Sequence, residues 1–104
     1  MDHATLVRLK FFRSQITGLD NLAELKVLNL AGNLIRKISN LQGLTSLEEL
    51  NVRRNRIRST QGLEAVPTLE KLYLSNNEIQ VSDYEYLHVQ NIASQNSIEF
   101  YKKT

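Results

Sequence analysis

Three stretches of the chain share one pattern of leucine, isoleucine and asparagine: LKVLNLAGNLI at residues 25–35, LEELNVRRNRI at residues 47–57 and LEKLYLSNNEI at residues 69–79. Each stretch begins 22 residues after the previous one and follows LxxLxLxxNxI, with a valine at one leucine position of the second copy. Composition alone does not place so many residues in register over three copies. An internal repeat therefore decides the fold class before any single residue is considered.

The centre of each copy alternates apolar and polar residues, which predicts a strand buried on one side. We expect strands at residues 26–30, 48–52 and 70–74. The return path of about ten residues favours an extended or 3₁₀ turn over a long helix. The pattern predicts an α/β repeat solenoid, a right-handed arc with short parallel strands on its concave face and 3₁₀ or extended turns on its convex side.

One asparagine follows each predicted strand, at Asn33, Asn55 and Asn77. An asparagine side chain both donates and accepts hydrogen bonds, so a stack of three can satisfy backbone groups that the turns would otherwise bury without a partner. We expect these residues to form a structural asparagine ladder.

The repeats predict a single domain over residues 1–104, with copies at about 6–24, 25–46, 47–68 and 69–94 and a partial copy at 95–104. The first copy is degenerate: Leu6, Leu9 and Phe11 fit the template only if this copy is shorter than the others, with Leu9 equivalent to Leu28. An irregular insertion at 80–97, expected to form a short helix or turn, precedes Ile98, which lies more than one period after Leu72 and predicts a fifth strand. Neither end carries a convincing polar cap, which indicates a fragment of a longer array, a partner that covers the ends, or self-association.

Composition excludes several classes of protein. Hydrophobic residues make up 41% and charged residues 23% of the 104 residues, which is ordinary for a folded globular domain. The chain has no cysteine, so neither a disulfide framework nor a thiolate metal site is possible. With no secretion signal and no apolar run near the roughly 20 residues of a membrane span, we expect a cytoplasmic location, with the nucleus as the alternative.

The pattern LxELxxLxLxxNxIxxIxxLxxL resembles the 22-residue, SDS22-like class of intracellular leucine-rich-repeat proteins, typified by a regulatory subunit of protein phosphatase 1. The resemblance covers residues 6 to 79, with Ser14 and Thr60 as departures. The class includes dynein light chains, centrosomal and axonemal proteins, a spliceosomal subunit and the leucine-rich-repeat subunit of the tubulin polyglutamylase complex, which residues 22–57 resemble in particular. The resemblance implies a scaffold in a cytoskeletal, ciliary or phosphatase-regulatory complex.

Residues that alternate with the buried leucines are expected to face outward on the concave side, where a partner protein would bind. The predicted partner-binding residues are Arg8, Lys10, Phe12, Arg13, Asn29, Glu49, Asn51, Arg53, Arg54, Lys71 and Tyr73. With Glu99 and Lys102 of the predicted fifth strand, this surface has seven basic and two acidic residues, although the net charge of the chain is only +2. An acidic surface or tail on the partner follows as a hypothesis, and plain solvation of the arginines is the alternative.

Two other functional classes, enzymes and nucleic-acid binders, compete with a protein-binding role. An enzyme needs a nucleophile, a base and an orienting group together, but the only histidines, His3 and His88, lie outside the repeat-defined surface, and no catalytic motif, cofactor loop or strong metal-ligand spacing occurs. Nucleic acid is the more serious alternative, because Phe12 and Tyr73 could stack on the bases of RNA within a basic surface. The modest net charge and the absence of a recognised nucleic-acid motif favour a protein partner.

Overall fold

In the computed structural model, residues 16–79 are described in full, together with the backbone of residues 6–8 and 97–99. The strands are β1 (Leu6–Arg8), β2 (Val27–Asn29), β3 (Glu49–Asn51), β4 (Lys71–Tyr73) and β5 (Ser97–Glu99). They form one parallel sheet in which spatial order follows chain order. Each repeat therefore adds one strand to the edge left by the repeat before it.

The central leucines of successive strands are aligned across the sheet. Leu28 pairs with Leu50 and Leu50 with Leu72, and both neighbours of each buried leucine are partly or fully exposed. The strands span three residues, so the predicted ranges are wrong by one residue at each end. The chain turns away soon after each strand, because the residues at 32, 54 and 76 all adopt a positive φ.

The predicted register of the first strand is wrong. The shortened first copy would place Leu9 opposite Leu28, whereas the structure places Val7 opposite Leu28 and Arg8 opposite Asn29. The error is a shift by two residues, which keeps the alternation of the strand intact, so alternation alone cannot distinguish the two registers.

The fifth strand has the predicted register. Ile98 lies opposite Leu72, and the flanking residues Ser97 and Glu99 pair with Lys71 and Tyr73. The predicted helix or turn before this strand lies outside the described residues. The parallel sheet thus continues from β4 to β5 although the interval between paired positions exceeds one repeat.

The core is a column of leucine, isoleucine and valine side chains beneath the strands. The three central leucines are fully buried, as are the isoleucines that follow each asparagine in the first two complete copies, Ile35 and Ile57. Leu47 and Leu69, which precede β3 and β4, are buried in the same column, as is Leu63 in the return path between these strands. Because each repeat supplies one layer of this column, no single repeat could bury its own apolar side chains.

Asparagine side chains join neighbouring repeats on the inner side of the turns. Asn55 Oδ1 accepts a hydrogen bond from the Ile35 amide at 3.0 Å, while its Nδ2 donates to the carbonyl oxygens of Leu30 at 3.0 Å and Val52 at 2.9 Å. The Asn77 amide group repeats this arrangement one layer later, with Ile57 and Val52 among its partners. Asn33 Nδ2 donates to the Leu30 carbonyl at 2.7 Å. These bonds provide partners for backbone N–H and C=O groups that are not hydrogen-bonded within the sheet.

The return paths contain a second set of left-handed residues at the same spacing as the repeat. Gly18, Asn40 and Gly62 have φ values of 80°, 60° and 108°. Asn40 Nδ2 also donates to the Ile16 carbonyl oxygen at 2.7 Å, which ties this turn to the preceding repeat. Gly62 precedes a 3₁₀ helix at Leu63–Ala65, so the third return path is helical for one turn.

Candidate functional site

Outward-facing residues of adjacent strands form rows, because the register aligns equivalent positions. Val27, Glu49 and Lys71 make one row, and Asn29, Asn51 and Tyr73 make the next. Arg53 and Arg54 follow β3 after one buried residue, Val52. We call this surface the strand face, and it consists of Val27, Asn29, Glu49, Asn51, Arg53, Arg54, Lys71 and Tyr73.

Arg53 and Tyr73 form the central contact of the strand face. The guanidinium carbon of Arg53 lies 4.4 Å from the centre of the Tyr73 ring, within the range of a cation–π interaction. Both residues are partly exposed. The stack orders an arginine and an aromatic ring, two of the residue types most often found as anchors of protein interfaces.

Arg54 occupies a backbone position that normally favours glycine or asparagine. Its φ is 56°, and the residues at the equivalent positions in the neighbouring repeats are Gly32, with φ 72°, and Asn76, with φ 61°. Because a Cβ atom crowds the following carbonyl oxygen in this conformation, an arginine there carries a local energetic cost. The charge of Arg54 gives no indication of this strain, but the glycine and asparagine at the equivalent repeat positions do.

Asn29 and Asn51 have a structural role that the sequence analysis did not assign to them. The Oδ1 atom of Asn29 accepts the Ala31 amide at 3.0 Å, and that of Asn51 accepts the Arg53 amide at 3.1 Å. These local bonds shape the exit of each strand. The Asn51 bond also holds the backbone at Arg53, and thereby supports the stack on Tyr73.

The described strand face has an excess of positive charge. Arg53, Arg54 and Lys71 are basic and Glu49 is the only acid among its eight residues. At the adjoining edge, Lys26 and Glu48 form an ion pair with 3.2 Å between Nζ and Oε2. That pair neutralises itself, and the strand face has a net charge of +2, from three basic residues and one acidic residue.

The structure does not describe every residue predicted for the site. Arg8 lies in β1, where its backbone is opposite Asn29. The remaining first-copy candidates, Lys10, Phe12 and Arg13, lie outside the described residues, as do Lys102 and both histidines. The side chain of Glu99 is likewise not described, although its backbone belongs to β5.

A second charged cluster lies beside the turns that follow the asparagines. Arg36, Arg56, Arg58 and Glu78 line a cavity of about 340 Å³, and we call these four residues the turn-edge cluster. Arg58 Nε donates to Glu78 Oε1 at 3.0 Å. None of these four residues belongs to the predicted binding surface, although Arg36 and Arg58 are separated by one full period of the repeat.

Neither a metal centre nor a membrane-spanning helix is found within the described ranges. No three histidine, aspartate or glutamate side chains there are grouped closely enough to hold a metal ion. The helical structure in the same ranges is also too short and too polar to cross a bilayer.

Comparison with known proteins identifies the repeats. The sequence profile described as Leucine Rich repeats (2 copies) matches residues 23–65, and the profile described as Leucine Rich Repeat matches residues 68–91, so the two together cover more than half of the chain. A search of curated proteins gives no match.

Solved structures show the same fold. An internalin from Listeria monocytogenes superimposes with a TM-score of 0.65 and 25% identity over 82% of this chain and 31% of its own. A leucine-rich-repeat protein from Leptospira interrogans has a TM-score of 0.62 and 22% identity over 76% of this chain and 20% of its own. This chain thus spans about a third and a fifth of the lengths of those two proteins. The predicted leucine-rich-repeat fold with a parallel sheet is confirmed, and the chain belongs to the leucine-rich-repeat family.

Proposed function

We propose that this chain is a protein-binding scaffold that holds an acidic surface or tail of its partner against the strand face. Leucine-rich-repeat domains commonly mediate interactions between proteins. The observation that carries the proposal is the stack of Arg53 on Tyr73 at 4.4 Å, which lies partly exposed on the strand face. The stack combines an apolar contact surface with a positive charge, which suits a carboxylate-bearing segment.

The strand face is ordered before any partner arrives. Parallel pairing aligns its rows, and Asn51 holds the backbone of Arg53 through a bond of 3.1 Å. Such preorganisation lowers the entropy cost of association, since the binding side chains need little further ordering. The excess of basic residues would then speed the approach of an acidic partner and set its register.

The curvature and the handedness of the solenoid are part of the same proposal. We place the strand face on the concave side of a right-handed arc, with extended and 3₁₀ turns on the convex side. The short 3₁₀ helix at Leu63–Ala65 supports this arrangement for the third return path. A groove of this kind would let a helix or tail contact several rows at once.

We further assign the chain to the SDS22-like class, within a cytoskeletal, ciliary or phosphatase-regulatory complex in the cytoplasm. The support is the 22-residue period, together with the short return paths between β2 and β4. The scaffold role also requires no catalysis and no cofactor. Self-association through a sheet edge is a secondary route to assembly, because an edge strand has unpaired backbone groups.

A binding assay with an acidic peptide tests the strand face. Fluorescence anisotropy would follow a labelled glutamate octapeptide titrated with the wild-type chain and with the Arg53→Glu/Arg54→Glu variant. We expect the double variant to weaken binding at least tenfold while thermal unfolding stays nearly unchanged. Lys37→Glu is the control for a charge reversal elsewhere, since Lys37 is exposed and lies outside the strand face, and it makes half the change in net charge of the double variant.

Two outcomes would overturn this assignment. Equal affinity of the wild type and the double variant would show that the two arginines do not bind the acidic peptide. Loss of folded structure in the double variant would show that they are structural. Affinity capture from a lysate with the same two baits would then identify the natural partner as the protein lost with the reversal.

RNA, or an RNA-binding protein, is the second candidate partner. The Tyr73 ring with Arg53 above it could also stack on a base, and basic residues flank it. Both acidic peptides and RNA lose affinity as salt increases, so salt dependence does not distinguish the two candidates. Competition with short RNA oligonucleotides does. Displacement of the glutamate peptide by micromolar RNA, with tighter binding of the RNA itself, would favour the RNA candidate.

A further inference from the structure

Backbone hydrogen bonds place Arg56 and Glu78 at equivalent positions in successive repeats. The Arg56 amide donates to the Ile35 carbonyl oxygen at 2.8 Å, and the Glu78 amide donates to the Ile57 carbonyl oxygen at 2.9 Å. The same bond in adjacent layers means that the two side chains start from the same point on the turn edge. One is a cation and the other is an anion.

The residue after each of these isoleucines is an arginine, Arg36 in one repeat and Arg58 in the next. Arg58 forms an ion pair with Glu78 over 3.0 Å. One repeat earlier, Arg36 has Arg56 at the position that Glu78 occupies for Arg58. The turn-edge cluster therefore contains one complete ion pair and, beside it, two cations with no carboxylate between them.

We propose that the turn-edge cluster binds a phosphoryl dianion between Arg36 and Arg56, which supplies the negative charge that Glu78 supplies one repeat later. Three arginines and one glutamate leave an excess of two positive charges, which a dianion balances. Guanidinium groups bind phosphate oxygens through paired N–H donors, so two arginines can hold one tetrahedral group from two sides.

The surroundings of the cluster support this site. Among residues 16–79, neither Arg36 nor Arg56 has a carboxylate partner within ion-pair distance. The arginines share a cavity of about 340 Å³, and the Arg58 side chain is 82% exposed, so the cavity is open to a group presented by a larger molecule. Like charges that line one cavity repel one another, and a bound anion would offset this repulsion.

NMR signals of the arginine side chains test this proposal directly. Inorganic phosphate would be titrated into the ¹⁵N-labelled chain at constant ionic strength while NMR records the Nε–Hε signals of the arginines. We expect saturable shifts at Arg36 and Arg56, with a smaller shift at Arg58 because Glu78 already occupies its donor. Chloride at the same ionic strength should produce no saturable shift.

The variant Arg56→Glu provides the sharpest comparison, since it gives the Arg36 repeat the same pair that Arg58 and Glu78 form. We expect it to fold normally by circular dichroism and to lower the affinity for phosphate at least tenfold. Lys37→Glu makes the same change in net charge outside the cluster and should retain binding. Arg36→Gln is a second test that removes one donor without adding an acid.

A phosphoserine peptide identifies the source of the group. Tighter binding of this peptide than of inorganic phosphate, lost in Arg56→Glu, would support the proposal and point to a phosphorylated protein. Binding of inorganic phosphate alone would support a site for the free anion. The proposal is overturned if the shifts do not saturate, if Arg54 shifts equally, or if Arg56→Glu binds phosphate like the wild type. These results do not depend on the strand face, which the glutamate peptide tests separately.

Discussion

The guanidinium group of Arg54 lies over Gly32, the residue at the equivalent position one repeat earlier. A Cβ atom added to Gly32 would lie 3.5 Å from Nη2 and 3.7 Å from Cζ of Arg54. Arg53, the neighbouring residue, extends in the other direction, to the Tyr73 ring in the next repeat. Two consecutive arginines therefore connect three repeats, and both belong to the surface proposed to bind a partner.

Arg54→Asn should stabilise the fold and weaken binding. Asparagine tolerates the left-handed conformation, as Asn76 does in the next repeat, whereas a longer side chain there costs about 1 kcal/mol. We expect the free energy of unfolding in urea to rise by roughly 0.5–1 kcal/mol, and affinity for the glutamate peptide to fall. A less stable variant would show that contacts of the Arg54 side chain outweigh its backbone strain.

Tyr73→Ala should weaken binding of the glutamate peptide by removing the surface on which Arg53 stacks. An exposed cation–π contact contributes about 0.5–1 kcal/mol, so the loss of peptide affinity should be several-fold at most unless the ring also contacts the peptide. Anisotropy titrations of Tyr73→Ala and Tyr73→Phe would measure this loss, with the phenylalanine variant as the control that keeps a ring. Equal affinity in all three proteins would contradict a role for the stack.

Asn55→Ala should be strongly destabilising because it removes hydrogen bonds in the interior. The Ile35 amide would lose its partner at 3.0 Å, whereas the Leu30 carbonyl would keep the bond from Asn33 Nδ2 at 2.7 Å. A buried polar group without a partner costs about 1–3 kcal/mol, and we expect a loss of that size in chemical denaturation. Asn51→Ala is the matched control, since Asn51 is only partly buried, and a similar loss in both variants would contradict the special role of the ladder.

Leu50→Ala should lower the free energy of unfolding by about 3–5 kcal/mol, because Leu50 is fully buried at the centre of the sheet. Leu50→Asp should unfold the array, since an unpaired charge would replace an apolar side chain between two neighbouring repeats. Leu34→Ala serves as the control because Leu34 is 43% exposed. Thermal unfolding followed by circular dichroism would separate the three variants, and a cooperative transition near the wild-type temperature for Leu50→Asp would contradict the prediction.

Gly62→Ala should destabilise the chain more than Gly18→Ala. Both glycines have a positive φ, but a Cβ at Gly62 would overlap the carbonyl oxygen of Ile38, while a Cβ at Gly18 would meet nothing within 4 Å. Gly18→Ala therefore carries mainly the backbone cost of about 1 kcal/mol. Equal loss in urea unfolding of the two variants would show that the Ile38 turn can move aside.

The repeat, the parallel order of the strands and the aligned column of core leucines could all be predicted from the amino-acid sequence. The regular period of LxxLxLxxNxI allows each layer to stack only on an equivalent layer, so residues such as Leu28, Leu50 and Leu72 must align. The same pattern predicted β5 opposite Leu72 despite the longer interval. It could not set the register of β1, because a shift of two residues keeps every side chain on the same face.

The charged residues that act together are evident only in the folded chain. Arg53 contacts Tyr73, Arg54 covers Gly32, and Arg58 pairs with Glu78, each across about one full repeat of sequence. These contacts depend on the layer spacing and on the direction in which each turn leaves its strand. Apolar periodicity reports which residues are buried, but it contains no information on the paths that long polar side chains take over the surface.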